Sequence, residues 1–403
     1  MRILHVIPGI GTVSGGPPQV CQALATGQAV RGHDVHILSS LHGLRGDEED
    51  GLRERWGDRL TLLPFYFFGG YLRPRGLKAA LDSLFPFDIA HIHGLWSGMN
   101  TGVARRCRDS GTPYLIRTLG TLGPWALKNS GWKKRIYLQL WERENLDSAA
   151  AIHALNRDEV EDTKLLGFNT DIVIVTNGIE ASLFDSLPPR GEFRQNHPEL
   201  KERFLVLFLG RIHKKKGLEY LAEAFCLLRK RRPEAFLVVA GPEQDDSAEK
   251  ARRILEEYSM SDQAVFVGTV REGDKYSVYV DSDIFVLPSF DEGHSMAITE
   301  AMAVGLPVII TPGCHFPEVA ENDAGIVGSQ SPEEMAEFMQ KLMDDARLRE
   351  SMGQAGVRLV KERYTWDKIV ERTLKVYADI VETGATEEAC FRAQPAEKAC
   401  QSG

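Results

Sequence analysis

Two carboxylates eight residues apart, Glu292 and Glu300, enclose the segment Gly293-His294-Ser295-Met296. An apolar run from Asp283 to Leu287 leads into them, and a second, Val308 to Thr311, leads away. This order predicts a strand, a glycine-containing loop and a helix start, the place where an open α/β sheet binds ligands. On one continuous helix a spacing of eight leaves two side chains about 80° apart. They serve a single ligand better if Glu292 sits in the loop and Glu300 within the helix. Gly293, His294 and Ser295 then present backbone N–H groups at a helix N-terminus, which favours anions. Glu300 could accept hydrogen bonds from two hydroxyls of a ribose, and Glu292 could do the same for a sugar. Taken alone, the pair reads more simply as two surface glutamates.

A second constellation follows the apolar run Phe204–Leu209: Gly210-Arg211-Ile212-His213-Lys214-Lys215-Lys216-Gly217. A basic loop at the carboxyl end of a buried strand is well placed for phosphate. Arginine offers a planar fork for two oxygens and lysine a mobile point charge. The flanking glycines allow a turn or a close backbone approach. A solvated run of charge is the plain alternative. Beside this loop, two hydroxyl-gripping carboxylates describe a nucleotide-sugar pocket.

Other signals point elsewhere or nowhere. Asp281-Ser282-Asp283 has the D-x-D form of a metal site but precedes a buried strand, and reads as the turn into it. His91 and His93 alternate on one strand face, at metal-like spacing, with no third ligand evident in the sequence. Gly9-Ile10-Gly11-Thr12-Val13-Ser14 lacks the third glycine of a dinucleotide fingerprint, and no P-loop motif occurs. Neither a metal nor a cofactor is expected. Six cysteines without C-x-x-C spacing indicate reduced thiols and a cytoplasmic setting. No apolar run reaches the ~20 residues of a membrane span. The net charge of −9 argues against a nucleic-acid partner. Charge is uneven, however: Thr101–Asn145 holds nine Lys/Arg against three Asp/Glu. Within it, residues 125–143 interleave Trp125, Trp132, Tyr137 and Trp141 with Lys128, Lys133, Lys134, Arg135 and Arg143. Such a segment can lie on an anionic membrane surface, here the inner face, or can be a solvated helix with its aromatic residues in the core.

The elements that must position these residues alternate between β and α. Strands are expected at Arg2–Ile7, Val35–Ser39, Ile89–His93, Tyr114–Arg117, Ala150–Ala154 and Ile172–Val175, with helices such as Gln19–Val30 and Ile136–Ser148. A Pro/Gly/polar stretch from Ser186 to Pro198 has the make-up of a linker. The alternation then restarts with strands at Phe204–Leu209, Ala235–Ala240, Val265–Val267, Asp283–Leu287 and Val308–Thr311. Helices are expected at Leu218–Lys230, Lys250–Tyr258, Pro332–Met343, Leu348–Lys361 and Trp366–Tyr377. Short apolar runs alternating with helices imply doubly wound parallel sheets. The expected division is 1–185, 186–365, a closing helix 366–383, and a polar tail 384–403 expected to be mobile.

Glu292–Glu300, continuing through Ala301-Met302-Ala303-Val304-Gly305-Leu306-Pro307, resembles the E-x7-E signature of the GT4 retaining glycosyltransferases. Gly210–Gly217 resembles that family's G-R-x4-K-G loop. Asp283–Ser289, Pro317-Glu318-Val319, Ser14-Gly15-Gly16-Pro17 and Asp88–Gly94 fit in order, over roughly residues 1–380. The resemblance implies a GT-B fold, α/β, with two Rossmann-like domains facing a central cleft. The N-terminal domain would bind acceptor, the C-terminal domain would bind the nucleotide sugar, and the last helix would cross back. It implies Arg211 and Lys216 on the diphosphate and Glu300 on the ribose. Glu292 and the amides from Gly293 to Met296 would meet the donor sugar, and Thr269, Val270 and Arg271 the base. His93 would lie beside the anomeric region, with Gly15 and Gly16 near the diphosphate. His294 departs from the aromatic residue or leucine common among relatives, which leaves donor identity open. The implied reaction moves a sugar, a hexose by expectation, from a UDP- or GDP-activated donor to a glycan or polyprenyl-linked oligosaccharide. Configuration would be retained and no metal used. The alternatives are a nucleotide-sugar epimerase or hydrolase of the same fold, and a non-catalytic nucleotide-sugar-binding partner.

Overall fold

The computed structural model describes residues 1–11, 16–68, 71–123, 127, 136–168, 170–200, 202–271 and 273–383. Gly15, most of the basic stretch before Ile136, and the tail 384–403 lie outside the described residues. The chain divides into two compact units. One is Met1–Thr176 with Ile369–Gly403, and the other is Asn177–Lys368.

The first unit is built on a seven-stranded parallel sheet. Its strands are β1 (Arg2–Val6), β2 (Asp34–Ser40), β3 (Leu60–Leu63), β6 (Ile89–His93), β7 (Tyr114–Arg117), β8 (Ala151–Ala154) and β9 (Ile172–Ile174). They run in the order β3-β2-β1-β6-β7-β8-β9. An antiparallel hairpin of β4 (Phe65–Phe68) and β5 (Tyr71–Pro74) interrupts the alternation. The second unit has β10 (Phe204–Leu209), β11 (Ala235–Ala240), β12 (Ala264–Gly268), β13 (Ile284–Leu287), β14 (Val308–Ile310) and β15 (Gly325–Val327). Their order is β12-β11-β10-β13-β14-β15, again all parallel.

The sequence explains the centre of each sheet. Phe204-Leu-Val-Leu-Phe-Leu209 and Ala235-Phe-Leu-Val-Val-Ala240 are unbroken apolar runs. Only a strand covered on both faces tolerates that, and Leu205 to Phe208 are fully buried. In each sheet the winding reverses between its first and fourth strands, β1 beside β6 and β10 beside β13. Loops leaving such a pair diverge, and the crevice between them is where ligands bind. Register fixes the second pair, Val206 opposite Ile284 and Leu207 opposite Phe285. The basic loop after β10 and the glutamate loop after β13 are thereby neighbours.

One expectation requires correction. The stretch 186–198 is not a free linker. Phe193 and Leu200 enter the core of the second unit, and the Gly191 and Arg194 amides donate to Asp281. That bond also settles the D-x-D. Asp281 is fully buried and holds the preceding segment, while Asp283 accepts from the Leu205 amide at 2.8 Å and pairs with Arg190 and Arg194. Both carboxylates are consumed as structural anchors. The helix expected over Ile136–Ser148 runs from Ile136 to Asp147, wider-wound over Leu138–Glu142.

The last helix, Trp366–Thr383, buries Ile369, Val370, Thr373, Val376, Tyr377 and Ile380. Val370 packs over Gly27 of the first helix, Gly16–Val30. A Cβ on Gly27 would stand 2.6 Å from Val370 Cγ2. Gly27→Leu should therefore displace the last helix and lower stability by about 1–3 kcal/mol, with Gly27→Ala intermediate. Denaturant melts of the two variants against wild type measure this.

Candidate functional site

The basic loop of the second unit is locked to the glutamate loop by main chain and by charge. The Phe290 amide and the Ser289 hydroxyl both donate to the Lys215 carbonyl, at 2.7 and 2.8 Å. Gly217 ends the basic turn with φ +67°, and a Cβ there would lie 2.2 Å from the Pro288 carbonyl oxygen. Glycine is required twice over, by its left-handed backbone and by the contact. Across this seam Lys216 Nζ meets Glu292 Oε1 at 2.6 Å, and the Ser289 hydroxyl shares its one proton between this oxygen, at 2.6 Å, and the Lys215 carbonyl. Lys215 pairs with Asp291 at 2.6 Å. The His315 and Lys215 contacts pull the Asp291 carboxyl down to about 2, so it stays ionised. Arg211 reaches outward, its guanidinium 3.3 Å from Gln244 Oε1.

Glu292 lies in the loop, and Glu300 lies within the helix Met296–Ala303, the arrangement best suited to a single ligand. The Glu300 carboxylate is gripped by Lys275 Nζ at 2.9 Å and by the Tyr279 hydroxyl at 3.0 Å. Burial, with Glu300 beside it, holds the Tyr279 hydroxyl protonated far above its ordinary range. A carboxylate held this way keeps lone pairs for hydroxyl donors and has a fixed direction. Lys275 and Tyr279 escaped sequence reasoning, since they come from a separate helix, Lys275–Asp281. Ser295 is buried at the start of the helix that carries Glu300, and Gly293 and Met296 are half-buried. His294 turns inward. Its ring packs on Phe316 and Tyr364, and Nε2 lies 3.1 Å from Thr299 Oγ1. Thr269 and Arg271 are exposed, with Val270 half-buried, just beyond β12.

In the first unit, His93 ends β6 and is buried. Parallel register lines up His5 with His91, and His93 with Arg117, which in turn faces His153. One sheet face thus carries four imidazoles and a guanidinium. Gly16 opens the helix that contributes Gln28. His5 supplies the third imidazole that the sequence did not reveal, and ligand-capable nitrogens of His5, His91 and His93 lie within 4.8 Å of one another. Those nitrogens are spent on hydrogen bonds. His153 Nε2 must donate to the Val175 carbonyl at 2.6 Å, so His153 Nδ1 accepts from His91 Nε2, and His91 Nδ1 accepts from the Tyr377 hydroxyl. Likewise His5 Nε2 donates to Gln28 Oε1 at 2.7 Å, so His5 Nδ1 accepts from His93 Nε2 at 2.9 Å. With Arg117 buried alongside, an added cation would meet repulsion. This is a proton-ordered network of neutral rings.

Two parallel-sheet units, the second carrying a basic loop and paired glutamates at its switch point, form the frame of this chain. The description "Glycosyl transferases group 1" matches residues 189–358, and "Glycosyl transferase 4-like domain" matches 15–178. An uncharacterized glycosyltransferase of Methanocaldococcus jannaschii is 29% identical over 91% of this chain and 94% of its own. A D-inositol 3-phosphate glycosyltransferase of Paenarthrobacter aurescens is 27% identical over 60% of each. Among solved structures, Anabaena HepE in complex with UDP and glucose superposes with a TM-score of 0.75 at 15% identity, over 94% of this chain and all of that one. The chain belongs to the GT4-type group 1 glycosyltransferases and is a transferase of the glycosyltransferase class.

The imidazole network has a pH signature. Burial lowers His5 from the ordinary 6.5 to about 4 and His153 to about 3, and drives His91 and His93 well below 6.5. The unfolded chain thus takes up protons first. Stability is complete above the ordinary histidine value and drains as pH falls from there toward about 4. The melting temperature should fall steeply over that window. His153→Gln should flatten the slope, as read from thermal melts across pH.

Proposed function

We propose that the enzyme moves a hexose from a UDP- or GDP-activated donor to a glycan or polyprenyl-linked oligosaccharide, with retention and without a required metal. The observation that carries this is the Lys216–Glu292 pair, locked beside Arg211 at the β10/β13 switch point. Departure of a nucleoside diphosphate builds negative charge at its phosphates. Arg211, Lys216 and the amides from Gly293 to Met296 are suited to stabilise it. Glu300 is suited to ribose hydroxyls and Glu292 to the sugar, with Thr269, Val270 and Arg271 toward the base. In the first unit His93, held as the Nε2–H tautomer by His5, keeps Nδ1 as its remaining acceptor. The UDP and glucose bound by HepE support a UDP donor.

No helix among the described residues is long and apolar enough to cross a membrane. A lipid-linked acceptor would bring the enzyme to the inner membrane face, with segment 125–143 as one contact. Only Leu127 and residues 136–143 of that segment are described, and there Ile136, Leu140 and Trp141 are exposed.

A panel of nucleotide sugars with a lipid-linked oligosaccharide, scored by diphosphate release with and without acceptor and with chelator, tests the reading. Release without acceptor would point to the hydrolase alternative, and loss of activity in chelator would require a metal. Lys216→Ala should lower kcat by about 10²–10³. A wild-type melt must accompany it, because Glu292 loses its partner. Glu300→Gln should raise the donor KM by about tenfold or more, through loss of charged hydrogen bonds. Unchanged donor KM in that variant would remove Glu300 from the ribose.

A further inference from the structure

We propose that the β4–β5 hairpin of the first unit is a membrane-docking element that seats the enzyme on an anionic bilayer surface. It extends the contact suggested for segment 125–143 to a part of the fold that carried no signal of its own. Phe65-Tyr66-Phe67-Phe68 pairs with Tyr71-Leu72-Arg73-Pro74, and Leu72 is the buried anchor. Phe67 and Phe68 are 56% and 67% exposed, and Tyr66 is exposed with them. Large exposed aromatic residues gathered on so short an element mark a binding surface.

The hairpin joins the second exposed group through stacked rings. Phe68 opposes Tyr71 across the ladder, Tyr71 stacks on Tyr137 at 4.4 Å, and Tyr137 lies 5.0 Å from Trp141. Ile136, Leu140 and Trp141 extend the exposed apolar surface from there. Arg73 lies over the Phe68 ring at 5.6 Å and Arg75 over Tyr66 at 5.7 Å. Arginine placed so can leave its stem among apolar groups and offer its head to phosphate.

Charge selects the occupant. The chain as a whole carries −9. Yet residues 65–75 contain no aspartate or glutamate, and Arg73 and Arg75 are both exposed. An aromatic surface that carries Arg73 and Arg75 complements the interfacial zone of an anionic membrane, where aromatic rings and basic heads both settle.

The test is co-sedimentation of the full chain with phosphatidylcholine vesicles, with and without about 30% phosphatidylglycerol, at two salt concentrations. Binding should require the anionic lipid and weaken with salt. Phe67→Ser/Phe68→Ser should lose at least about tenfold in partitioning, and Arg73→Gln/Arg75→Gln should lose the preference for anionic vesicles. Both variants should keep the wild-type melt and turnover on a water-soluble acceptor. Unchanged partitioning of the phenylalanine variant, or no wild-type binding to either vesicle, overturns the proposal. So does a wild-type dimer that this variant dissociates, which would make a second copy the occupant. Lost turnover on the soluble acceptor would overturn it in favour of an acceptor subsite. Vesicle binding is read without donor or acceptor, so it fails separately from the transfer reaction proposed above.

Discussion

The adjacency of β10 and β13 is the constraint on which the site of the second unit depends. Parallel strands deliver their carboxyl ends to one edge, and the reversal of winding leaves those two ends side by side with their loops diverging. Arg211 and Glu292, far apart in the chain, become parts of one surface for this reason alone. The seam is then tightened by groups that carry no charge. The Lys215 carbonyl takes two hydrogen bonds from the opposite loop, and Gly217 lets the backbone touch Pro288. Placement of the charged side chains is thus inherited from the backbone.

The two units handle polarity in opposite ways. In the second, charges are kept and paired at a half-open edge, Lys216 with Glu292 and Lys275 with Glu300. Each lysine offsets a carboxylate that would otherwise repel a phosphate. In the first, four histidines are sunk beneath two helices, where charge is removed and only hydrogen-bond direction survives. A buried neutral imidazole is one donor and one acceptor. The fixed acceptors Val175 and Gln28 therefore set the proton positions along each chain of rings. One unit is arranged to meet charge and the other to fix where a proton sits.

Much of this was legible in the residues. Apolar runs buried on both sides announced β10 and β11, and Gly293 between the glutamates placed one in a loop and the other in a helix. What escaped was non-local or compositionally disguised. Lys275 and Tyr279 sit in Lys-Tyr-Ser-Val-Tyr-Val-Asp, whose residue types suit a strand while packing makes it a helix. His5 joins the other imidazoles only because β1 lies beside β6. Residues 186–198 have a linker's composition, yet Phe193 and the buried Asp281 fasten them down. The hairpin was silent because Phe65–Phe68 is aromatic at every position, so no alternation separates an inner face from an outer one.

The bond between His91 and Tyr377 joins positions 286 residues apart in the chain. On a ribosome, the first unit's sheet emerges long before the helix that covers it, with the whole of Asn177–Lys368 still to be made. Until then His91 lacks the Tyr377 hydroxyl, and the first helix alone covers that face through Gln28. Synthesis of the second unit is accordingly a waiting period for the first, whose cooperative completion is set by a segment near the far end of the polypeptide.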